Sequence, residues 1–234
     1  MSNSKIIKAG AFFCALLTAA AMLSGCKNKN NNTADNTEST TSAASETAEQ
    51  EIGTQRQVAE GDVYAINKFT VPEELPGGYR VYVKSQENQG IVYLNDISQI
   101  VVRAANYKED FAELAKYADS GCASIKLNNM LDHCDTDFEA PVNTKIAGFD
   151  AIYYDYLVTA NEFIKENEDD EEGVKSPVAW YKSRIYYFYS DNDVYYLMFE
   201  TERDNWEKAV GDLESFVELI TINENAVNEA PAEN

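Results

Sequence analysis

Hydrophobic and polar residues alternate along most of the stretch between residues 63 and 223, and this alternation predicts a succession of β-strands. Proline, glycine and Asp/Asn clusters separate these segments, as expected for tight turns. Three or four strands are expected before a helical region, and four after it. The predicted strands span residues 64–71, 80–84, 90–94, 99–104, 142–146, 149–159, 178–189 and 194–201.

The region between the two groups of strands carries apolar residues at helical spacing. These positions run from Tyr107 to Ala118 and follow Asn106 and Glu109, which form a capping signal. The polar residues 119–121 break the pattern, so a second, short helix is expected over residues 123–131.

The chain closes with an amphipathic helix over residues 204–220, for which Asp204 and Glu207 supply a capping box. Consecutive strands joined by tight turns favour an antiparallel sheet, and the apolar stripe of each helix needs a sheet face to cover. The sequence therefore predicts an α+β domain with a sheet of about six or seven strands and helices packed on it.

Several turn and strand motifs in this region resemble the PsbP/Mog-like fold, an α/β/α sandwich. The resemblance covers essentially the whole predicted domain. It implies an accessory or binding role without catalysis, but no ligand-binding residue of that family can be assigned to a position here. The motifs are Phe69-Thr70-Val71-Pro72, Gly77-Gly78-Tyr79, Ile146-Ala147-Gly148-Phe149, the long aromatic strands and the Trp/Phe closing helix.

The N-terminus resembles that of a bacterial lipoprotein. Lys5 and Lys8 precede a short apolar run over residues 9–22, which suits a secretory signal better than a spanning helix. Leu23-Ser24-Gly25-Cys26 then resembles a lipobox. The resemblance implies cleavage before Cys26 and attachment of diacylglycerol to its sulfur, and two acyl chains hold a protein firmly on a membrane.

Composition divides the rest of the chain. Residues 1–25 are the predicted signal peptide, and residues 26–60 are an Asn/Ser/Thr-rich segment that predicts a disordered tether of roughly 30–35 Å. Residues 61–223 form the predicted globular domain, and residues 224–234 a disordered acidic tail. The tether composition, with Lys27 after the cysteine, favours the extracytoplasmic membrane face of a Gram-positive bacterium.

The chain is strongly acidic, with a formal net charge of −21. Removal of the signal peptide takes away Lys5 and Lys8 and no acid, which leaves −23 for the mature chain. Such a surface repels phosphate backbones and therefore excludes nucleic acid as a partner. Cations, basic proteins and neutral sugars remain possible partners.

Two cysteines remain in the predicted domain, Cys122 and Cys134. An oxidising compartment permits a disulfide between them. On one straight helix they would lie about 18 Å apart, too far to bridge, so a disulfide requires a break in the helix. The sequence leaves both possibilities open.

Other candidate chemistry is weak. His133 stands among Asp132, Cys134 and further acids without a metal-site spacing, and we expect a loop or helix end there. The acidic run 166–172 lacks the spacing of a calcium loop and is expected to be a solvated insertion. No hydrolase, nucleotide or metalloprotease motif occurs, so neither a metal, a cofactor nor enzymatic activity is predicted.

The fifteen tyrosines are the most informative feature of the domain, because many stand in adjacent pairs within strands. Neighbours on a strand point to opposite faces, so both faces of the sheet carry aromatic residues, and two or three helices cannot cover both. Charge in mid-strand implies contact with water. The sequence therefore predicts an open binding platform formed by Tyr153, Asp155, Trp180, Lys182, Arg184 and Tyr186; the alternative is that these tyrosines pack under helices.

These features together predict a non-catalytic binding or accessory module, anchored on the outer face of the cell membrane, whose partner is a glycan, a peptide or an envelope protein. Two alternatives remain. One is an envelope hydrolase that uses paired carboxylates such as Asp150 and Asp155. The other is an accessory subunit of a membrane complex.

Overall fold

The computed structural model describes residues 61–106, 113–164, 174–191 and 193–228. The predicted signal peptide, the tether and the acidic run 166–172 lie outside the described residues. The helices are α1 (Ala65–Lys68), α2 (Leu114–Leu131) and α3 (Trp206–Glu218), and 3-10 turns cover Pro76–Gly78 and Arg203–Asn205. The strands are β1 (Phe69–Thr70), β2 (Arg80–Ser85), β3 (Gly90–Leu94), β4 (Ser98–Asn106), β5 (Cys134–Phe138), β6 (Val142–Ile146), β7 (Phe149–Ile164), β8 (Val174–Tyr189), β9 (Asp193–Glu202) and β10 (Thr221–Ile222).

Eight of these strands form one antiparallel sheet in the order β2-β3-β4-β9-β8-β7-β5, with β6 also paired to β7. The strands β1 and β10 form a separate antiparallel pair. The long hairpin β7-β8 lies near one edge of the sheet, and β2 forms the opposite edge. This architecture confirms the predicted α+β class with an antiparallel sheet.

The two faces of the sheet carry separate hydrophobic cores. On one face, which we call the α3 face, Phe216 packs edge-on against Tyr93 of β3, with ring centroids 5.0 Å apart. On the other, the α2 face, Tyr117 of α2 packs edge-on against Tyr187 of β8 at 5.8 Å. Helices therefore cover parts of both faces, and the domain has three layers.

The first predicted strand, residues 64–71, was wrong over most of its length. The chain forms one helical turn, α1, before the two residues of β1. This turn is held by tertiary contacts, because the Asn106 side chain accepts a hydrogen bond from the Ala65 amide and Tyr195 donates one to the Ala65 carbonyl. The turn buries Ile66 completely, and this burial outweighs the extended pattern of the sequence.

The middle of the chain forms one helix where the sequence predicts two. Asn106 ends β4 and bonds to the backbone of Val63, so it does not cap a helix; residues 107–112 are not described. Residues 119–121 continue α2 without a break. Gly121 allows close packing here, because a Cβ at this position would lie 2.2 Å from the Tyr187 hydroxyl oxygen.

Strand β5 was missed by the prediction, which placed a helix end or loop at residues 132–137. Cys134 and Thr136 point inward and are buried, while Asp135 and Asp137 are exposed. Because acids occupy the exposed positions of this short edge strand, the alternation of buried and exposed residues is difficult to recognise in the sequence. Its presence explains why the sheet has eight strands rather than six or seven.

The start of α3 also differs from the prediction. A 3-10 turn over Arg203–Asn205 precedes the helix, and its N-cap residue is Asn205, which makes no side-chain capping bond. The capping box expected of Asp204 and Glu207 is therefore not formed. The apolar stripe itself is present, with Trp206, Leu213 and Phe216 buried.

The described part of the predicted tail is folded. The Asn223 amide donates to the Lys68 carbonyl (2.8 Å), and Lys68 pairs with Glu224 (3.0 Å). The Asn228 side chain accepts from the Tyr64 amide (2.9 Å) and donates to the Asp62 carbonyl. The folded domain thus continues past residue 223 to at least Asn228. Within the described segments, no helix has the length and apolar character needed to cross a membrane.

Candidate functional site

The strand register places the six residues of the predicted platform on the α3 face. Tyr153 lies opposite Tyr186, and Asp155 opposite Arg184, across the β7-β8 pair. Alternation along β8 places Lys182 and Trp180 on the same side, further toward the hairpin end. The platform therefore runs along β7 and β8, from the Tyr153–Tyr186 pair at one end to Trp180 at the other.

Arg184 is at the centre of this surface and forms several close contacts. Its Nε and Nη2 donate to the two oxygens of Asp155, at 2.5 and 2.8 Å, and Nη1 donates to Glu214 of α3 at 3.1 Å. The guanidinium also stacks over Tyr153, 4.3 Å from the ring centroid, and lies 5.6 Å from Trp206. The ring of Tyr186 lies 6.0 Å away, so two carboxylates and three aromatic rings surround this cation.

Electrostatic interactions stabilise the charged form of the Arg184 guanidinium. Burial alone would lower the pKa of Arg184, but hydrogen bonds to Asp155 and Tyr186 raise it above its usual range. Burial also raises the pKa of Tyr186, although Arg184 opposes that effect. Arg184 is therefore charged and fixed in place.

The inner half of the platform is not open to water, which corrects the expectation from mid-strand charge. Arg184 is 7% exposed and Tyr186 is 3% exposed. Both lie under α3, where Asp155 and Glu214 neutralise the guanidinium. Charge in mid-strand here indicates a buried ion pair, and the alternative of tyrosines packed under a helix holds for Tyr186.

The outer half of the platform is accessible. Trp180 is 41% exposed, and the guanidinium of Arg203 lies 5.5 Å from its ring centroid. Lys182 lies 4.7 Å from the Trp206 ring and forms an ion pair with Glu139 at 3.4 Å. We call Trp180, Lys182, Arg203 and Glu139 the open end of the platform; only Trp180 and Lys182 were predicted from sequence, because Arg203 and Glu139 reach them through tertiary contacts.

Cys122 and Cys134 are both buried and both are thiols, so the disulfide that the sequence left open is not formed. The helix α2 continues for nine residues after Cys122, to Leu131, or about 13 Å along its axis. The chain then turns and enters β5 at Cys134. Burial, with a contribution from Asp119, raises the pKa of the Cys122 thiol to about 12, which keeps it protonated.

The paired carboxylates of the hydrolase alternative are not brought together. Asp155 lies on the α3 face and is bound by Arg184. Asp150 lies five residues earlier on β7, and because this separation is an odd number its side chain points to the other face. Asp150 is exposed and pairs with Lys145 at 2.7 Å. His133 lies in the turn before β5 with a left-handed φ of 61°. In the described ranges, no group of three or more His, Cys, Asp or Glu residues is arranged to hold a metal ion.

A second polar group lies on the α2 face, and its signal in the sequence is weaker. Gln99 of β4, Glu200 of β9, Ser183 of β8 and Tyr156 of β7 are successive cross-strand partners. We call these four residues the polar row. The signal for it in the sequence is Glu200, an acid within the otherwise apolar part of β9. This signal does not show that β4 lies beside β9.

Comparison with known proteins gives partial structural likenesses. No protein-family model matches the chain, and no curated protein sequence matches it. The chain is similar to the PsbP protein (CyanoP) of the cyanobacterium Synechocystis, with 10% identity, 67% of this chain and 87% of that one covered, and a TM-score of 0.47. It is also similar to LpqN of Mycobacterium tuberculosis, described as involved in cell envelope biogenesis, with 14% identity, coverages of 66% and 83%, and a TM-score of 0.40.

A third similar structure is a protein of Bacteroides thetaiotaomicron, with 11% identity, coverages of 78% and 52%, and a TM-score of 0.40. The first of the three, CyanoP, is described as a PsbP protein, and the sequence motifs resemble the PsbP/Mog-like fold. All three TM-scores are below 0.5, so no functional argument rests on them.

Proposed function

We propose that this protein is a lipid-anchored binding module on the outer face of the cell membrane, which holds a neutral glycan at the open end of the platform without catalysing its turnover. The observation that carries the proposal is the exposure of Trp180. This large aromatic residue is 41% exposed, and its strand is paired on both sides within the sheet. An aromatic ring held rigidly in water is a common recognition surface.

The groups around Trp180 suit a sugar. The indole offers a flat apolar face on which a pyranose ring can stack, while Arg203, Lys182 and Glu139 offer donors and acceptors to its hydroxyls. The charge of −21 on the chain disfavours anionic polymers, because a strongly acidic protein repels them. A neutral glycan is therefore the favoured ligand.

The anchor belongs to the same proposal. Cys26 in Leu23-Ser24-Gly25-Cys26 would carry the diacylglyceryl group, and residues 26–60 would separate the domain from the membrane by roughly 30–35 Å. This distance would place the platform within reach of cell-wall polymers while the protein stays on the membrane.

The test is a sedimentation assay with purified cell walls from which anionic polymers have been removed. The mature lipoprotein should bind the walls, and Trp180→Ala should reduce binding about tenfold or more while it leaves the unfolding temperature unchanged. Tyr82→Ala is the matched control, because Tyr82 is a 61% exposed aromatic residue on the edge strand β2. Equal loss in both variants, or no binding by the wild type, would overturn the proposal.

A separate observation favours the accessory-subunit alternative. The last turns of α2 expose Leu127 (47%), Met130 (61%) and Leu131 (64%), which lie close together at helical spacing. An apolar patch of this kind is typical of a protein contact. If it binds a membrane protein, Met130→Lys should abolish co-purification from solubilised envelope but leave wall binding intact.

A further inference from the structure

Strand β2 lies at one edge of the eight-stranded sheet and pairs with β3 on its inner side. Among the residues that the structure describes, no strand pairs with its outer side. An edge strand presents a row of backbone N–H and C=O groups, and these groups can form a hydrogen-bond ladder with a further strand. The outer side of β2 is therefore a place where an extended chain can add to the sheet.

The side chains of β2 are exposed on both faces of the sheet. All five residues from Arg80 to Lys84 are exposed, because neither hydrophobic core extends over this strand. The three central residues are large and mostly apolar, and their exposed fractions are 55% for Val81, 61% for Tyr82 and 44% for Val83. Consecutive exposed apolar residues on a sheet edge are typical of a contact surface.

The opposite edge of the sheet is built differently. On β5 the exposed side chains are those of Asp135 and Asp137, and the residues between and before them are buried. Charged side chains at the exposed positions of an edge strand prevent it from pairing with another chain. The centre of β2 lacks such charges, so the two edges differ in their capacity to accept a strand.

The local charge at β2 is opposite in sign to the charge of the whole chain. Strands β2, β3 and β4 contain Arg80, Lys84 and Arg103 but no Asp or Glu, and the two turns between these strands add two acids. Residues 80–106 therefore carry a formal charge of +1, whereas the chain carries −21. This edge is thus the part of the sheet that an acidic segment can approach.

The net charge of the chain opposes a long polyanion more strongly than a short peptide at this edge. Electrostatic interactions in solution are screened over about 8 Å at physiological ionic strength. Strand β2 lies four strand spacings from β8, or about 19 Å. A short peptide along β2 therefore interacts mainly with Arg80 and Lys84.

A second copy of the domain fits this edge less well. If two copies of β2 paired antiparallel about Tyr82, Arg80 of each copy would lie opposite Lys84 of the other. Like charges directly opposite each other destabilise a sheet. An acidic strand would place carboxylates at the same positions, so charge complementarity favours it over a second copy.

We propose that the outer edge of β2 binds an extended acidic peptide segment of a partner protein by β-strand addition. Backbone hydrogen bonds to β2 form the ladder, the central residues Val81 to Val83 contact apolar side chains of the peptide, and Arg80 and Lys84 pair with its carboxylates. A bulge between Val81 and Val83 adds local twist, so the ladder is short. This surface lies on a different strand from Trp180 and does not depend on the proposed glycan site.

Fluorescence anisotropy with the mature lipoprotein in non-ionic detergent micelles tests the proposal. The probe is a dye-labelled peptide of eight residues in which Glu and Val alternate, and its counterpart alternates Lys and Val. The acidic peptide should bind about tenfold or more tightly than the basic one, because only its side chains complement Arg80 and Lys84. A fully N-methylated form of the acidic peptide keeps the carboxylates but cannot donate backbone hydrogen bonds, and it should lose binding.

Arg80→Glu should weaken binding of the acidic peptide about tenfold or more, because it places like charges together. The unfolding temperature should not change, since Arg80 is exposed. Lys126→Glu is the matched control; it changes the net charge by the same amount at an exposed position of α2 and should leave binding unchanged. Trp180→Ala should also leave peptide binding unchanged, so the peptide surface and the glycan site are tested separately.

Hydrogen exchange measured by NMR identifies the strand that receives the peptide. Alternate amides of β2, those on its outer side, should become protected when the acidic peptide is added. The proposal would be overturned by equal binding of the two peptides, by full binding of the N-methylated form, by equal loss in Arg80→Glu and Lys126→Glu, or by no binding. Protection of the outer amides before the peptide is added would also overturn it, because a second copy or another segment of this chain would then occupy the edge.

Discussion

Asp155 and Arg184 lie opposite each other on β7 and β8, and two parallel hydrogen bonds of 2.5 and 2.8 Å join their side chains beneath α3. The side chains are 14% and 9% exposed, so the pair is largely removed from water. Glu214 of α3 adds a third contact to the same guanidinium at 3.1 Å. The pair therefore connects the long hairpin to the helix that covers it.

Asp155→Ala should destabilise the fold by about 3 kcal/mol, because the exposed Glu214 is then the one carboxylate among the described contacts of a buried guanidinium. Urea unfolding followed by tryptophan fluorescence measures this change. Asp150→Ala is the matched control on the same strand, since its ion pair with Lys145 is solvent-exposed and should contribute about 1 kcal/mol or less. A similar loss in both variants would show that the Arg184 pair does not hold the helix.

Lys68 should couple the two ends of the domain. Its Nζ lies 2.7 Å from the buried carboxylate of Asp193 and 3.0 Å from Glu224. Lys68→Met should cost about 3–5 kcal/mol, because Asp193 loses the cation that compensates its charge. Glu224→Gln removes only the more exposed contact and should cost about 1 kcal/mol or less. Hydrogen exchange should then be faster in β1, β10 and the segment after Asn223 in Lys68→Met.

The pH dependence of the Lys68 contribution follows from its pKa. Burial alone would lower the pKa of Lys68, but the hydrogen bonds and charges of Asp193 and Glu224 raise it above its ordinary value of 10.5. A raised pKa for a cation means that its stabilisation is complete below the unfolded pKa and is lost as the pH rises through the folded value. Between neutral pH and pH 10, Lys68→Met should therefore be less stable than wild type by a constant amount.

The sequence identified most strands because alternation and turn residues are local signals. The hairpin β2-β3 and the strand Val142–Ile146 lie where the pattern places them. The turn α1 and the strand β5 were missed because each depends on partners distant in sequence, such as the contact between Tyr195 and Ala65. Tertiary contacts of this kind override local propensity.

The platform illustrates the same limit for the site. Alternation was sufficient to assign Tyr153, Asp155, Arg184 and Tyr186 to one face, because that depends only on strand geometry. Their exposure depends on where α3 lies, and the sequence pattern does not contain that information. The polar row was missed for the same reason, since it exists only when β4 lies beside β9.

Gly121→Ala should destabilise the domain by about 1–3 kcal/mol, because the added methyl would lie 2.2 Å from the Tyr187 hydroxyl oxygen and force the helix from the sheet. Gly211→Ala is the control within another helix. Nothing lies within 4 Å of a Cβ at Gly211, and alanine has the higher helix propensity, so this variant should be stabilised by up to about 1 kcal/mol. Thermal unfolding should shift in opposite directions in the two variants, and a shift in the same direction would contradict the packing of α2 on Tyr187.

Glu200 should make the domain less stable as the pH rises through the weakly acidic range. Burial raises the pKa of Glu200 to about 7 from its ordinary value of 4.5, so the folded state favours the protonated carboxyl. The unfolded chain releases this proton near pH 4.5 and the folded chain near pH 7; the unfolding free energy therefore falls between these values and is constant above them. The fall should be on the order of 1–3 kcal/mol, since the side chain is only half-buried.

Other carboxyl groups also titrate over part of this range, so the measurement is the difference between wild type and Glu200→Gln. Their unfolding free energies should diverge from about pH 4.5 to about pH 7, with wild type the less stable at the upper end, because glutamine cannot ionise. A carbon-13 NMR titration of the glutamate carboxyls should show one group with a pKa near 7 that is absent from Glu200→Gln. Parallel stability curves for the two proteins would mean that the Glu200 carboxylate is solvated in the folded state.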